Sequence, residues 1–400
     1  MGKKFRFIHV ADSHIGHSGN ASRYNEFKSL RIQKVNEHGV NIRQQDINDA
    51  FIQVMDLAIQ HKVDAVLHAG DGTDFWGYRQ PHVLNFYSEQ VTRLAPHGIH
   101  YLEIVGNHNL PKKSGVGCYL ETLGRFENVR AVYKGVYEAH EIPGHNVVVH
   151  CVPSSFTQEV LDHSLEQARP VDGKINIGIG HFGVTSIGHY AENALNSLVV
   201  DLDSLIKCKM NYFALGDYHT PTDFGYNIRY SGSIERMGFG EIDIEPQVLL
   251  VEIDEDTKEV NVQALKLNVR DMIQLKTVDA NDKSIEQIND LIESRLTHTD
   301  LTDKIVRLRV RNLPVHLKKL IDDQKIKELT ESALYFKLEF VDKVNKTKDI
   351  RTSGTKFEGV LEGWNEFVDL LEDDASFDKS SLKQEGYNRL SDMYDDTVNA

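Results

Sequence analysis

The sequence predicts an α/β protein of sheets flanked by helices, and three observations carry that expectation. Short β-branched runs alternate with stretches of helical periodicity through the first two-thirds of the chain. Asp, His and Asn gather at the C-terminal ends of those strand candidates, the edge where open α/β sheets collect ligands. After about residue 255 the pattern changes to a smaller mixed unit without such clusters, and then to an acidic tail.

Taken in order, "FRFIHVAD" opens the chain as a strand. "DINDAFIQVMDLAIQHK" spaces Phe51, Val54, Met55 and Ala58 as one face of a helix. "VDAVLHAGD" is the next strand, and Pro81–Ala95 reads as a helix with proline at its start. "IHYLEIVGNH" forms a third strand and "VGCYLETLGRF" a further helix. Later strands are expected at Asn146–Val152, Ile175–Gly180, Tyr212–Gly216 and Gln247–Ile253. These elements make a first domain of residues 1–255. "VNVQALKLNVRDMIQLKTVD", a helical "SIEQINDLIESRL", "KIVRLRVRNLP" and "YFKLEFVDK" outline a small α+β domain, residues 256–349. From Arg351 to Ala400 there are twelve Asp/Glu against five Lys/Arg, so residues 350–400 read as a linker and polar tail. Within that tail Phe357–Glu372 and "SSLKQEGYNRLSDMY" are helix candidates.

Composition narrows the class. A chain of 400 residues with 40% hydrophobic and 26% charged content is an ordinary globular one. No run of about 18 apolar residues is present, so no membrane span is expected. The opening "MGKKFRFIHVADSH" reads as a strand, not a signal peptide. Cys118, Cys151 and Cys208 are far apart and in no paired spacing, which fits a reducing cytoplasm and argues against a thiolate zinc site. The net charge of −15 disfavours a broadly basic nucleic-acid-binding surface. Divalent cations in a carboxylate-lined site would reverse the potential locally.

The chemistry rests on five short motifs: "ADSH" (Asp12, His14), "AGDG" (Asp71), "GNHN" (Asn107, His108), "GHFG" (His181) and "GDYH" (Asp217, His219). Each alone has a plain structural explanation. Asp71 could be a turn residue, Asn107 a left-handed residue beside Gly106, and His181 a buried strand end bonded to backbone. Together they form a mixed oxygen and imidazole set, suited to Mn²⁺, Fe²⁺ or Zn²⁺. Seven candidate ligands (Asp12, His14, Asp71, Asn107, His181, Asp217 and His219) are too many for one ion and suit two that share a carboxylate. Two metals about 3.5–4 Å apart form the clamp used for in-line attack on phosphorus, so the chemistry expected is phosphoester hydrolysis.

The order of these motifs resembles calcineurin-like metallophosphoesterases. "HVADSHIGH", "VDAVLHAGDGTDFWGYRQP", "IVGNHN" and "YNIRYSGSIERMGFGE" are similar to segments of the SbcD-type DNA double-strand-break repair nucleases, over about residues 5–345. That resemblance implies a layered metallophosphoesterase sandwich, a small α+β capping domain, and two divalent metal ions, expected to be Mn²⁺. It implies that Asp12, His14, Asp71 and His219 hold one ion, and that Asp71 bridges to a second held by Asn107, His181 and Asp217. His108 would be catalytic, facing the scissile phosphate. Two residues depart from the family pattern: Asp217 stands where His is usual, and Asn109 where an acid usually follows the G-N-H. The first should alter metal preference; the second should weaken the support of His108.

His17, Arg23 and Arg43 are placed in the loop between the first strand and first helix. They are candidate phosphate contacts, with an ordinary solvated loop as the plainer reading. Trp76, Tyr78 and Arg79 could stack on or fence a terminal nucleotide, or merely pack on the neighbouring loop. The resemblance further implies DNA as substrate, exo- and endonuclease activity in repair or recombination, a homodimer, and an SbcC-like coiled-coil ATPase bound through the C-terminal segment. A phosphoesterase acting on nucleotides or small phosphodiesters, and a non-catalytic scaffold for DNA ends or an ATPase, are the competing readings.

Overall fold

The computed structural model describes residues 3–17, 32, 34–74, 80–111, 117–188, 198–341, 364–365, 368 and 378–398. The first sheet holds β1 (Lys4–Val10), β2 (Ala65–His68), β3 (His100–Ile104), β4 (Val129–Val132), β13 (Gln247–Asp254) and β14 (Val260–Lys266). Its order is β14-β13-β1-β2-β3-β4, parallel from β1 to β4 with an antiparallel β13–β14 edge. The second holds β5 (Glu138–Glu141), β6 (Val147–Val152), β7 (Ile175–His181), β10 (Tyr212–Gly216), β11 (Thr222–Asp223) and β12 (Ile228–Tyr230). Its order is β11-β12-β10-β7-β6-β5, parallel from β12 to β6. A minor pair, β8 (Gly183–Val184) and β9 (Val199–Val200), follows β7.

Period-two alternation divides the side chains between layers. Phe5 and Phe7 of β1 join Leu67, Leu102, Val149, Ile177 and Ala214 in a core between the two sheets. Ile8 and Val10 turn the other way, onto α1 (Ile42–Gln60) and α2 (Pro81–Thr92). The second sheet is covered on its outer face by α4 (Gln158–Gln167) and α5 (Leu202–Lys207), through Leu161, Leu165 and Leu205. The short α3 (Tyr119–Leu123) closes the end of the first layer. The result is a helix–sheet–sheet–helix sandwich, the fold class expected. β7 is buried at all seven positions, as a strand covered on both faces must be. Directional bonds also cross between the sheets: His9 Nδ1 lies 3.0 Å from the Tyr212 hydroxyl, and His9 Nε2 3.1 Å from the Leu215 carbonyl.

A third sheet is made by β15 (Met272–Gln274), β16 (Val278–Asp279), β17 (Ile305–Arg311) and β18 (Tyr335–Val341), every pair parallel. α6 (Ile285–Thr297) starts at a Ser284/Gln287 capping box and packs Ile288, Ile292 and Leu296 on this sheet with Ile326 of α7 (Asp323–Leu329). The boundary expected at residue 255 falls inside the β13–β14 hairpin, so the first sheet runs on to Lys266. The amphipathic alternation of β14 is that of a half-covered sheet edge, which in sequence looks like a change of domain. α8 (Lys379–Val398) spans the second tail candidate, and Trp364 lies against Gly386 within it. Most of the Phe357–Glu372 candidate lies outside the described residues. No helix among the described residues is long and apolar enough to cross a membrane.

Candidate metal centre

Five parallel strands, three from the first sheet and two from the second, deliver the candidate ligands to one edge. Asp12 and His14 follow β1, Asp71 follows β2, Asn107 and His108 follow β3, His181 ends β7, and Asp217 and His219 follow β10. Because β1, β2 and β3 are neighbours, as are β7 and β10, the facing sheets bring all of them together. The backbone turns sharply to do so. Asp12 (φ 53°), His14 (φ 45°), Asp71 (φ 55°) and Asp217 (φ 101°) all have left-handed or related conformations, which cost of order 1–3 kcal/mol each for side chains other than glycine.

The side chains meet at short range. His14 Nε2 lies 3.2 Å from His219 Nε2 and 3.9 Å from Asp71 Oδ2. His181 Nε2 lies 3.0 Å from Asn107 Oδ1, 3.4 Å from Asp71 Oδ2 and 3.7 Å from Asp217 Oδ1. Ligand atoms of Asp12, His14 and His219 lie within 4.8 Å of one another, as do those of Asp12, Asp71 and His181, and those of His14, Asp71 and His108. The structure therefore brings all seven candidate ligands, with His108, to one site. Backbone bonds lock the carboxylates: Asp217 N–H donates to Asp12 (3.1 Å to Oδ2), and His108 N–H to Asp71 Oδ1 (3.0 Å). Gly106 is required there, since a Cβ would lie 2.1 Å from Asp71 Oδ1.

Hydrogen bonds on the far side of the rings select the nitrogens that face the centre. His181 Nδ1–H donates to the Ala69 carbonyl at 2.7 Å, and His219 Nδ1–H to Glu241 Oε1 at 2.8 Å. Each leaves Nε2 for a cation. Charge follows the same logic. Burial raises Asp12 to about 6, partly offset by His181 and His219. Burial works against ionising Asp71, but His181 and His108 outweigh it and hold Asp71 below the ordinary carboxylate range. Burial also opposes protonation of His181 and His219, yet Asp71, for the first, and Glu241, for the second, lift them to about 10 and about 9. Burial, with the neighbouring His108, pushes His14 well down. The cluster thus draws positive charge into its midst. Three carboxylates, three imidazoles and an amide fit hard or borderline divalent cations.

His108 is held by a residue that lies outside the five motifs. Its Nδ1 lies 3.1 Å from Asp74 Oδ1, while His17 Nδ1 lies 3.2 Å from Asp74 Oδ2. Burial opposes ionising Asp74, but bonds to both imidazoles keep it well below the usual range. The support expected to be lost at Asn109 is thus supplied from Asp74, three residues after Asp71. Glu241, in "GSIERMGFGE", is the second residue missed, and it also accepts from Met237 N–H at 2.7 Å.

The expected phosphate contacts need correction. Arg43 is not in the loop: Asn41 caps α1, accepting from Arg43 N–H at 2.9 Å, so Arg43 sits in the first helical turn. It is 2% exposed, and its guanidinium is committed to Asp46 (3.0 Å), Glu235 (3.2 Å) and the Arg236 carbonyl (2.5 Å). It braces the core and cannot reach a phosphate. His17 is likewise buried, against Asp74. Arg23, Trp76, Tyr78 and Arg79 lie outside the described residues.

Residues 5–222 match the family model of the calcineurin-like phosphoesterases, more than half of the chain and all seven candidate ligands. The chain is similar to the DNA double-strand break repair protein Mre11 of Sulfurisphaera tokodaii, 27% identical over 247 residues, covering 60% of this chain and 56% of that protein. It is 28% identical to the protein of the same name from Haloferax volcanii over 315 residues, covering 76% and 61% respectively. For the one from Saccharolobus solfataricus the identity is 23% over 359 residues, covering 86% and 84%. The chain thus spans little more than half the length of the first two of these relatives.

Proposed function

This chain belongs to the calcineurin-like phosphoesterase family, and from that premise we propose that it is a metal-dependent DNA nuclease. The observation that carries this reading is the convergence of three carboxylates, three imidazoles and an amide from five strand ends on one edge. Asp12, His14, Asp71 and His219 would hold one cation, and Asp71, Asn107, His181 and Asp217 a second, with Mn²⁺ the proposed ion. When bound, the cation pair supplies Lewis acidity to the phosphodiester and to the attacking water. Ala69 and Glu241 keep the His181 and His219 rings turned with Nε2 inward. Asp74 holds His108 at Nδ1, so that Nε2 can give its proton to the leaving oxygen.

DNA as substrate is supported by the likeness to proteins named for double-strand break repair. With it come, as parts of the same proposal, a capping role for the unit after Lys266 that is built on the third sheet, a cytoplasmic homodimer, and docking of an SbcC-like ATPase on the C-terminal segment that includes α8. The test is Mn²⁺-dependent cleavage of end-labelled linear and hairpin duplex DNA by the wild-type protein and Asp71→Ala. The wild type should cut, and Asp71→Ala, lacking the shared carboxylate, should show no cleavage above background. Cleavage of a chromogenic phosphodiester but of neither DNA would assign small phosphodiesters instead. A wild type as inert as His108→Ala on every substrate would point to a scaffold.

A further inference from the structure

Behind the two central motif loops lies a buried polar cluster that the mechanism above does not use. Alternation along β3 sends Leu102 and Ile104 into the core between the sheets and Tyr101, Glu103 and Val105 toward the helices. Glu103 is therefore a fully buried acid at a position where an apolar side chain is expected. Three phenols answer it: Tyr119 donates to Oε1 at 2.6 Å and Tyr87 to Oε2 at 2.8 Å, while the Tyr101 hydroxyl lies 2.7 Å from that of Tyr87 and 3.3 Å from Oε2.

The cluster touches both loops. Gly72, next to Asp71, lies so close that a Cβ there would stand 2.2 Å from Glu103 Oε1 and 2.3 Å from the Tyr87 hydroxyl. On the other side Asn109 Nδ2 donates to the Tyr119 hydroxyl at 3.2 Å, while Asn109 Oδ1 accepts from Gly106 N–H at 2.7 Å. Those two bonds close the turn that carries Asn107 and His108.

We propose that Glu103 and Tyr119 are positioning residues, which act through Asn109 to set the turn presenting Asn107 and His108. This rests on the phosphoesterase reading of the site. The direction of the bonds explains why residue 109 is an amide. Tyr119 gives its proton to Glu103, so toward residue 109 its oxygen can only accept. Asn109 must donate on that side and accept from Gly106 on the other. An aspartate there has no proton to give, and it would set a second buried negative charge beside Glu103. Reversing the chain restores it. With Gln at 103 donating to the Tyr119 oxygen, the phenol proton is free for Asp at 109, whose second oxygen still accepts from Gly106.

The experiment is a cycle of Asn109→Asp, Glu103→Gln and the double variant, on the full chain with Mn²⁺ and a chromogenic phosphodiester. Tyr101→Phe serves as a control that removes a phenol of the same cluster without touching Asn109. Asn109→Asp should lower kcat by about tenfold or more with little change in KM, because a small misplacement of a catalytic group is costly. The double variant should recover to within about threefold of wild type, and Tyr101→Phe should keep wild-type kcat. Equal losses in Tyr101→Phe and Tyr119→Phe would overturn the proposal, as would a double variant no better than Asn109→Asp. If Asn109→Asp does not fold, judged by its thermal midpoint, Tyr119→Phe should show the same kcat loss. A wild type that cleaves neither this diester nor DNA overturns the phosphoesterase reading itself. Calorimetric Mn²⁺ titration then decides the positioning role: binding weakened in Asn109→Asp and restored in the double variant upholds it, and unchanged binding in both refutes it.

Discussion

The two halves of the candidate centre share the GDYH motif but are braced in different ways. The half made by Asp12, His14 and His219 is imidazole-rich and leans outward: its brace is Glu241 on the His219 ring. Glu241 belongs to a segment tied to other layers. Glu235 pairs with Arg43 of α1, Arg307 of β17 donates to the Phe239 carbonyl at 3.3 Å, and its guanidinium lies 4.6 Å over the Phe239 ring. The half made by Asn107, His181 and Asp217 has one imidazole and leans inward, on the Ala69 carbonyl and the Glu103 cluster. The difference teaches that one half answers to the third sheet and the other to the core behind β3.

His108 stands between the halves, and its removal is the sharpest way to separate chemistry from cation binding. His108→Ala should lower kcat by about 10²–10⁴-fold while calorimetry still finds both Mn²⁺ sites. Asp74→Asn should follow it in the same direction with a smaller loss. Loss of a cation site in His108→Ala would break the division.

The inward brace carries a pH signature. Burial lifts Glu103 to about 7, against the three phenol bonds that favour its ionised form. A carboxyl raised on folding contributes stability that is full below its unfolded value of about 4.5 and lost as pH climbs through about 7. Urea unfolding should therefore show the wild type losing up to about 3 kcal/mol relative to Glu103→Gln between those pH values. Besides Tyr87, Tyr101 and Tyr119, Asp71 acts on Glu103 through its charge, and the Cys118 thiol also feels the Glu103 carboxyl. A flat difference between the two proteins would remove the acid from the account.

The outward brace should give the smallest effect, and an unequal one. Glu241→Ala frees the far side of His219, which should weaken one of two Mn²⁺ affinities by about 10–100-fold and leave the other unchanged. Equal weakening of both would mean that the halves are not separately braced.

What could be read from the sequence follows from how local each signal is. Strand ends marked by Asp, His or Asn beside glycine were legible because the turn and the ligand share a few residues. Asn41 is a readable helix cap, and it sets Arg43 in the first helical turn and not in the loop. Asp74 and Glu241 were not legible as braces, since their partners lie 34 and 22 residues away. Glu103 was hidden in a different way. One acid in "HYLEIV" looks like the exposed face of a strand, and only the packing of three tyrosines over it shows otherwise.

The bonds that cross between the two sheets have a consequence of their own. The burial of oily side chains between sheets is non-directional, so it opposes separation more than it fixes register. His9 on Tyr212 and Leu215, His181 on Ala69, and Asp217 on Asp12 are directional, and they pin one sheet against the other at the edge where the motifs emerge. The sandwich is riveted along one rim, and the tolerances of its cleft are set by those rivets.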